Sequence, residues 1–296
     1  MDISPETAPP GAQRDNTNRI GDSTADWHAA AAPATPLGDR TALVVGASRG
    51  IGAAVAEILV ADGARVVLGS RHLEPLVAKA DALRERWPDA HVTAAVCDVL
   101  DEAQVHEVMT TAAGSDGVLD ILVLAAGITG PIETPVTELS VEDFREVMDV
   151  NVTGTFVCCR AAVPFLRRAQ AGGRIVTFSS TAGLRGYSNR VGYSASKWAI
   201  RGLTRALARE LGPLDITVNS VAPYTVHGNR MADVVEGKAA RQRTTPEQVY
   251  ADFARQTALG RWIDESDVAE TIRFLVSDGA RNITGQNIAI DAGWDA

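Results

Sequence analysis

Seven short apolar runs, rich in β-branched residues, alternate with amphipathic helical patterns from Thr41 to the end of the chain. The runs are TALVV (41–45), ARVVLG (64–69), VTAAV (92–96), LDILVLA (119–125), GRIVTFS (173–179), DITVNSV (215–221) and NIAID (287–291). They are continuously apolar rather than alternating, which is typical of strands buried on both faces of a parallel sheet. Parallel neighbours need helical crossovers, so this order predicts one α/β domain, doubly wound, with a seven-stranded sheet and helices on both faces.

The segments between these runs carry helical periodicity. Helices are expected at about 51–62, 73–86, 101–113, 141–169, 194–211 and 267–277. Thr245, Pro246 and Gln248 form a capping box, which predicts a further helix over about 246–257. This last helix lies within a long connection at about 223–262, which we expect to be a substrate loop or lid.

The first part of the chain, residues 1–37, lacks periodicity and is rich in Pro, Ala, Thr and Asp. Such a composition predicts a mostly disordered leader. A solvated tail and a partner-binding arm both fit this segment. The folded domain is then expected to span 38–296.

Composition excludes several classes of protein. The formal net charge of -9 argues against a nucleic-acid-binding protein with a broad basic face. The longest apolar run, ILVLAAGI, is too short to span a membrane, and the sequence after Met1 is not that of a secretory signal. The three cysteines, Cys97, Cys158 and Cys159, show no metal-site spacing, so we expect no metal and a reduced, cytoplasmic protein.

A glycine-rich segment, GASRGIG, joins the first strand to the first helix and contains Gly46, Gly50 and Gly52. Glycines here permit a tight turn and let the backbone approach a pyrophosphate, while the helix N-terminus directs N–H groups at the negative charge. Glycines also simply make turns. Placed after a first strand and before a helix, however, the segment predicts a dinucleotide-binding Rossmann domain.

The end of the second strand bears on which dinucleotide binds. NAD-selective Rossmann proteins usually carry an acidic residue there for the ribose hydroxyls, whereas this chain has Ser70 and Arg71, with Arg49 in the glycine loop. A guanidinium can hold a 2′-phosphate with two parallel hydrogen bonds. The sequence therefore favours NADP(H); if both arginines are only surface residues, NAD(H) stays open.

A tyrosine and a lysine four residues apart, Tyr193 and Lys197 in YSASK, lie at the start of a helical pattern. Residues four apart share one face of a helix, so the two side chains are placed to interact. Tyrosine ordinarily titrates near ~10, and a nearby cation stabilises the phenolate and lowers that pKa. The pair is a candidate general acid/base, although the same spacing also occurs in helices without any catalytic role.

Two polar residues strengthen this hypothesis. Ser180, in IVTFSSTAG, follows the fifth strand at the edge of the sheet where ligands bind, and its hydroxyl could hydrogen-bond a substrate oxygen. Asn151, in MDVNVTGTF, stands at a helix junction where its amide could interrupt the helix and hold a water. Taken singly, Ser180 is explained by a turn and Asn151 by a cap.

The order of the motifs resembles the short-chain dehydrogenase/reductase family over about 39–296, and its 3-oxoacyl-carrier-protein reductase type in particular. The matching segments are GASRGIG, CDV, VNVTGTF, IVTFSSTAG, YSASK, NSVAP and ITGQNIAIDAGW. The resemblance implies that Tyr193 is the acid or base, Lys197 lowers its pKa and binds ribose, Ser180 orients the carbonyl, and Asn151 anchors a relay water. It also implies a set of cofactor contacts. These are Gly46, Ser48, Arg49, Gly50, Ile51, Gly52, Ser70, Arg71, Asp98, Val99, Ala126, Gly127, Asn151, Tyr193, Lys197, Pro223 and Val226, of which Asp98 and Val99 would flank the adenine.

From this resemblance we expect an NADP(H)-dependent oxidoreductase that transfers hydride between nicotinamide C4 and a carbonyl or secondary alcohol. An NAD-dependent alcohol dehydrogenase of the same fold and a non-catalytic dinucleotide sensor are the alternatives. Relatives are usually homotetramers, assembled through the helices at 151–169 and 194–211 and the last strand. No nucleic acid or membrane partner is expected.

The chain departs from the family pattern at two places. The usual Asn-Asn-Ala-Gly after the fourth strand is here LAAG, 124–127, so the asparagine hydrogen bonds that brace the sheet are lost. The usual Pro-Gly is Pro223-Tyr224, and Tyr224 either stacks on a ligand or packs the base of the loop. Candidate substrate contacts are Ser180, Tyr187, Tyr224 and Arg230.

The same loop is locally basic. It carries Arg230, Lys238, Arg241 and Arg243, which would attract an anionic or carrier-bound substrate. A solvated helix face explains the same four residues.

Overall fold

The structure is a computed structural model that describes residues 35–38 and 40–296, with Arg230 described by its backbone alone. The predicted disordered leader therefore lies, up to residue 34, outside the described residues. Leu37, at the end of that predicted segment, is buried in the core, and its N–H donates to the Asp62 carbonyl at 2.9 Å. The folded body thus includes residues on both sides of the boundary at 37.

All seven predicted strands are present and form one parallel sheet in the order β3-β2-β1-β4-β5-β6-β7. They are β1 Thr41–Val45, β2 Arg65–Ser70, β3 Val92–Val96, β4 Ile121–Leu124, β5 Gly173–Phe178, β6 Ile216–Pro223 and β7 Asn287–Ile290. The strand order reverses between β1 and β4, which opens a crevice at their carboxyl ends. The doubly wound Rossmann fold is confirmed.

The helices connect these strands on both faces. Their bounds are α1 Gly50–Ala61, α2 Leu73–Arg86, α3 Glu102–Ala113, α4 Val141–Met148, α5 Gly154–Leu166, α6 Val191–Leu211, α7 Asn229–Gln242, α8 Pro246–Arg255 and α9 Glu265–Val276. The helix expected at 141–169 is in fact two helices, separated by a π-helical turn at Asp149–Thr153. Helix α7 was not anticipated from the sequence.

The continuous apolar strands are explained by burial on both sides of the sheet. Along β1, Ala42 and Val44 pack into one core with α1, α2 and α9, whereas Leu43 and Val45 pack into a second core with α3, α5 and α6. Because successive side chains point to opposite faces, a strand covered on both faces can carry apolar residues at successive positions.

The three cysteines are free and buried. Burial raises the pKa of Cys159 to about 12, which makes it a poor nucleophile. Cys158 and Cys159 pack inside the second core, as expected of small packing residues.

Candidate active site

The predicted dinucleotide loop is a tight turn that packs closely against β4. Gly46 adopts φ +91°, and a Cβ added there would stand 2.5 Å from the Ala126 amide nitrogen. A Cβ at Gly52 would collide with the Gly46 carbonyl. Both positions therefore require glycine, and the turn brings the N-terminus of α1 to the crevice between β1 and β4.

The N-terminus of α1 is left open for an anion. Its N-cap, Arg49, is extended and makes no side-chain capping bond, and no acidic residue occupies the first turn. The N–H groups at this end lack intrahelical partners, and the helix dipole adds positive charge. Together with the glycine turn, this end of α1 fits the pyrophosphate of a nicotinamide dinucleotide. Ser48 and Ile51 are half-buried beside it.

The residues after β2 and β3 differ in exposure. Arg71 and Arg49 are exposed, whereas half-buried Ser70 donates its hydroxyl to the His72 carbonyl at 3.1 Å. The Asp98 carboxylate accepts the Leu100 N–H at 3.0 Å, and the Asp98 N–H donates to the side chain of Gln104.

Val99, which follows Asp98, is buried against Gly154 at the start of α5. A Cβ at Gly154 would collide with the Val99 side chain, so a glycine here lets α5 approach the end of β3 closely.

Backbone groups replace the asparagine bracing that the LAAG segment lacks. The N–H groups of Ala125 and Ala126 both donate to the Val45 carbonyl, at 2.8 and 2.9 Å. At the next residue, a Cβ on Gly127 would stand 2.9 Å from the Asn151 side-chain oxygen and 3.7 Å from Lys197 Nζ. Gly127 thus makes room for two of the predicted catalytic side chains.

Asn151 occupies the middle of the π-helical turn and is only 1% exposed. Its amide holds the Ile128 backbone at both ends, accepting from the N–H at 2.8 Å and donating to the carbonyl at 2.9 Å. It also donates to Ser196 Oγ on α6 at 3.0 Å. Asn151 therefore ties the loop after β4 to the helix that carries Tyr193, and π-turns are frequent at functional sites.

Ser180 follows β5 and is buried beside the end of β6. Its Oγ accepts the Ala182 N–H at 3.1 Å and lies 3.5 Å from the Pro223 carbonyl. Thr181 makes a similar long contact with Pro223, and its hydroxyl is 2.6 Å from the Tyr187 hydroxyl. The ends of β5 and β6 thus share one polar corner.

Tyr193 and Lys197 occupy the first two turns of α6. Lys197 is 4% exposed, and its Nζ donates to the Phe178 carbonyl at the end of β5 at 2.8 Å. The same Nζ lies 5.6 Å from the centre of the half-buried Tyr193 ring. The pair that the sequence places on one helix face is brought against the strand end that carries Ser180.

An aromatic wall closes the site and contains a residue that the sequence analysis missed. Trp294, near the carboxyl terminus, stacks on Tyr224 with ring centres 4.8 Å apart and meets Tyr187 edge-on at 5.7 Å. Trp294 is also held by Arg185, whose guanidinium lies over the indole and pairs with Asp295. The segment ITGQNIAIDAGW ends at Trp294, but nothing in it marks this residue as part of the site, because its partners are about 70 and 107 residues earlier in the chain.

Tyr224 packs the base of the loop, which is one of the two roles left open. It packs edge-on against Phe253 of α8, and its hydroxyl donates to Gln256 at 3.2 Å. Burial raises the pKa of the Tyr224 phenol to about 12. The Tyr224 side chain thus supports the predicted lid, while the face of its ring is covered by Trp294.

The lid consists of α7 and α8 over a small core of its own, formed by Val234, Val235, Ala239, Val249, Phe253 and Trp262. The predicted capping bond is present, since Gln248 N–H donates to Thr245 Oγ1 at 3.3 Å. Val226 is buried beneath the lid, where it pairs with Ile263.

Two of the four basic residues of the predicted lid, Lys238 and Arg241, contact neighbouring groups. Lys238 Nζ lies 4.9 Å from the centre of the Phe253 ring, and Arg241 donates to the Glu133 carbonyl at 2.7 Å. Arg243 ends α7 in a left-handed conformation. The side chain of Arg230 lies outside the described part of the chain.

Among the described residues, no group of His, Cys, Asp and Glu side chains could hold a metal ion. The described helices also include none that is both long and apolar enough to cross a membrane.

Comparison with known proteins agrees with this arrangement. Residues 46–295 match the family model described as enoyl-(acyl carrier protein) reductase. The chain is 34% identical over 257 residues to the 3-oxoacyl-(acyl-carrier-protein) reductase FabG of Staphylococcus aureus, an alignment covering 86% of this chain and 97% of that one.

Two solved structures share the fold. An actinorhodin polyketide ketoreductase with NADPH has a TM-score of 0.81 and 31% identity, covering 86% of this chain and 97% of its own. An NAD⁺-bound xylitol dehydrogenase has a TM-score of 0.82 and 30% identity, and the match covers 87% of this chain and 99% of that one. Agreement over nearly the whole of these chains makes this protein a member of the short-chain dehydrogenase/reductase family, 3-oxoacyl-carrier-protein reductase-like, and an oxidoreductase of alcohols and ketones.

Proposed function

We propose that the protein is an NADP(H)-dependent oxidoreductase that interconverts a carbonyl and a secondary alcohol, with Tyr193 as the general acid and base. One observation carries this proposal: Lys197 Nζ lies against the Tyr193 ring and donates to the end of β5 that leads to Ser180, while Asn151 braces α6. Three of these polar side chains are almost fully buried, at 1% to 7% exposed. Burying such groups is costly unless they bind one another or a ligand, which favours an enzyme over a non-catalytic sensor.

In this mechanism Tyr193 moves the proton. It donates to the carbonyl oxygen during reduction and accepts the hydroxyl proton during oxidation. Lys197, 5.6 Å from the ring centre, stabilises the phenolate that forms. When bound, the nicotinamide ring supplies or accepts the hydride.

Ser180 orients the substrate oxygen. Its hydroxyl makes only a 3.5 Å contact with the Pro223 carbonyl, which is too long for a strong hydrogen bond. The proton is thus available to a substrate carbonyl, where it stabilises the charge that develops on the oxygen. Asn151 holds α6 and the loop after β4 in fixed positions relative to each other. We propose that it also anchors a relay water.

For the cofactor we propose NADP(H), held by the glycine loop and by the other residues expected from the family pattern. Arg49 and Arg71 are exposed at the open end of α1 and after β2, and no carboxylate ends β2 to repel a 2′-phosphate. Of the two similar structures, one holds NADPH and the other NAD⁺. Preference therefore depends on these local charges rather than on the fold.

The cofactor proposal predicts that wild type binds NADPH at least about tenfold more tightly than NADH, because two guanidinium–phosphate contacts contribute more than 1.4 kcal/mol. The double variant Ser70→Asp/Arg71→Ala should reverse this order, since a carboxylate repels the phosphate and accepts from ribose hydroxyls. Fluorescence titration with NADPH and with NADH measures the two affinities in wild type and in the variant. Tighter NADH binding by wild type would establish the NAD-dependent alternative.

For the substrate we propose a carbonyl compound whose body lies along the aromatic wall of Tyr187, Tyr224 and Trp294. All three rings are half-buried, so part of the wall remains accessible. Because Lys238 packs on Phe253 and Arg241 donates to the Glu133 carbonyl, they offer less to an anionic or carrier-bound substrate than the sequence suggested. Measuring NADPH oxidation with matched neutral and carboxylated ketones, each in ring-bearing and acyclic form, separates these substrate classes. If the protein turned over none of these ketones, the result would oppose the proposed function.

We also propose a homotetramer. Phe156 of α5 is 42% exposed and Trp198 of α6 is 48% exposed. Each ring is partly covered by an arginine of its own helix. Light scattering should give four times the 31.2 kDa chain mass. Trp198→Glu should lower this mass, because a buried unpaired charge opposes association; a monomeric wild type would refute the proposal.

A further inference from the structure

Arg190 is a buried cation in a place where a helix gains nothing from it. It is the N-cap of α6, makes no side-chain capping bond and is 8% exposed. The helix dipole is positive at this end, so a guanidinium there is unfavourable, and burial adds a desolvation cost. The position calls for an explanation other than the stability of α6.

The geometry directs this cation at Tyr193. The guanidinium carbon lies 5.0 Å from the centre of the Tyr193 ring, while Lys197 Nζ lies 5.6 Å from the same centre. Arg190 and Tyr193 are three residues apart, which places them on one side of the first turn. A cation near an aromatic ring is attracted weakly to a neutral phenol and much more strongly to a phenolate, which carries a full negative charge.

Other ionisable groups face Tyr193 from neighbouring elements. Asp143 of α4 lines, with Arg190 and Tyr193, a cavity of about 10 Å³, and its carboxylate accepts from Ser140 Oγ at 2.6 Å. Tyr187, in the loop after β5, interacts with Tyr193 and with Tyr224, which follows β6. Burial raises the pKa of Tyr187, and the nearby phenols raise it further, whereas the positive charge of Arg190 lowers it.

We propose that Arg190 is a positioning residue that, together with Lys197, stabilises the ionised form of Tyr193. Two cations then act on the phenolate, opposed by the carboxylate of Asp143. Arginine stays protonated at any pH the protein survives, so its contribution does not fade where a lysine begins to titrate. This proposal rests on the proposed function, because Arg190 acts through Tyr193.

Absorbance titration of the protein without cofactor tests the proposal independently of turnover. The chain has four tyrosines. Burial raises the pKa of Tyr187, of Tyr224 to about 12, and of Tyr250. Tyr193 is therefore expected to ionise first as the pH rises, and subtracting the Tyr193→Phe titration isolates its signal.

In Arg190→Gln the midpoint of this signal should rise by about one pH unit, because one of two stabilising cations is lost. Arg190→Lys should restore part of the shift and serves if the glutamine variant does not fold. Arg205→Gln is the matched control: it removes one exposed arginine from the same helix, about 18 Å from Tyr193 along the helix axis, and should leave the midpoint unchanged. A midpoint in both Arg190 variants equal to that of wild type would overturn the proposal.

Kinetics give a second readout. In the direction of alcohol oxidation, kcat/KM rises with pH as Tyr193 ionises, so Arg190→Gln should move this limb to higher pH by the same amount. If Arg190→Gln raises KM for carboxylated substrates alone, with no shift in either pH profile, Arg190 binds substrate and the proposal fails. An active Tyr193→Phe variant would refute the proposed function instead, while the titration would still report on Arg190.

Discussion

Tyr193→Phe is expected to lower kcat by about 10³-fold while NADPH affinity stays within about twofold, because the phenol hydroxyl moves the proton and the ring keeps its packing. The phenylalanine ring retains the place beside Lys197 and Arg190 that the tyrosine ring has. Loss of the hydroxyl leaves the developing alkoxide without a proton donor, so the loss belongs to kcat rather than to cofactor binding. Single-turnover rates and fluorescence titration with NADPH measure the two quantities separately.

Tyr250→Phe is the matched control. This tyrosine belongs to α8, stacks on Trp262 at 4.0 Å, and loses through the change only its hydroxyl contact with His227 at 2.7 Å. Its kcat should stay within a few-fold of wild type. If Tyr193→Phe also retained more than about a tenth of wild-type turnover, Tyr193 would not be the acid and base.

Gly52→Ala should weaken binding of either dinucleotide by more than about tenfold and lower the free energy of unfolding by about 1–3 kcal/mol. The new methyl group would collide with the Gly46 carbonyl and press on the Ala125 side chain. Backbone at the turn cannot yield without moving the N-terminus of α1, which is the end that receives the pyrophosphate. Calorimetric titration and thermal unfolding test the two effects.

Gly202→Ala controls for the general effect of adding a methyl group to a helix. Gly202 lies on the exposed face of α6, with no atom within 4 Å of an added Cβ. This change should leave cofactor binding unaltered and raise the free energy of unfolding by about 0.5–1 kcal/mol, because alanine loses less backbone entropy. Normal cofactor binding by Gly52→Ala would contradict the role assigned to the turn.

Local signals in the sequence were sufficient for much of the framework. The strands were recognisable because the central ones are buried on both faces of the sheet, so apolar residues dominate their runs. The glycines of the cofactor turn were recognisable because close approach of two backbones excludes a side chain. The helix junction at Asn151 was anticipated, although its π-helical form was not.

What was missed depends on contacts between distant parts of the chain. Helix α7 is polar over most of its length, so its few apolar residues do not form a recognisable pattern in the sequence. They form a core only together with α8 and Trp262. In the sequence, Trp294 is one aromatic residue near the end of the chain. Its place in the aromatic wall is seen only when folding brings it against Tyr187 and Tyr224. Arg190 looks like a surface residue until the start of α6 is packed against α4.

The sequence alone therefore determined the sheet, the cofactor turn and the identities of Tyr193, Lys197, Ser180 and Asn151 as candidates. These depend on periodicity, backbone conformation and short spacing, which are local properties. Only the tertiary structure decided what surrounds them: the second cation beside Tyr193, the aromatic wall and the engagement of the lid's basic residues. Those features depend on burial and on distances between side chains far apart in the chain, and no local pattern encodes either.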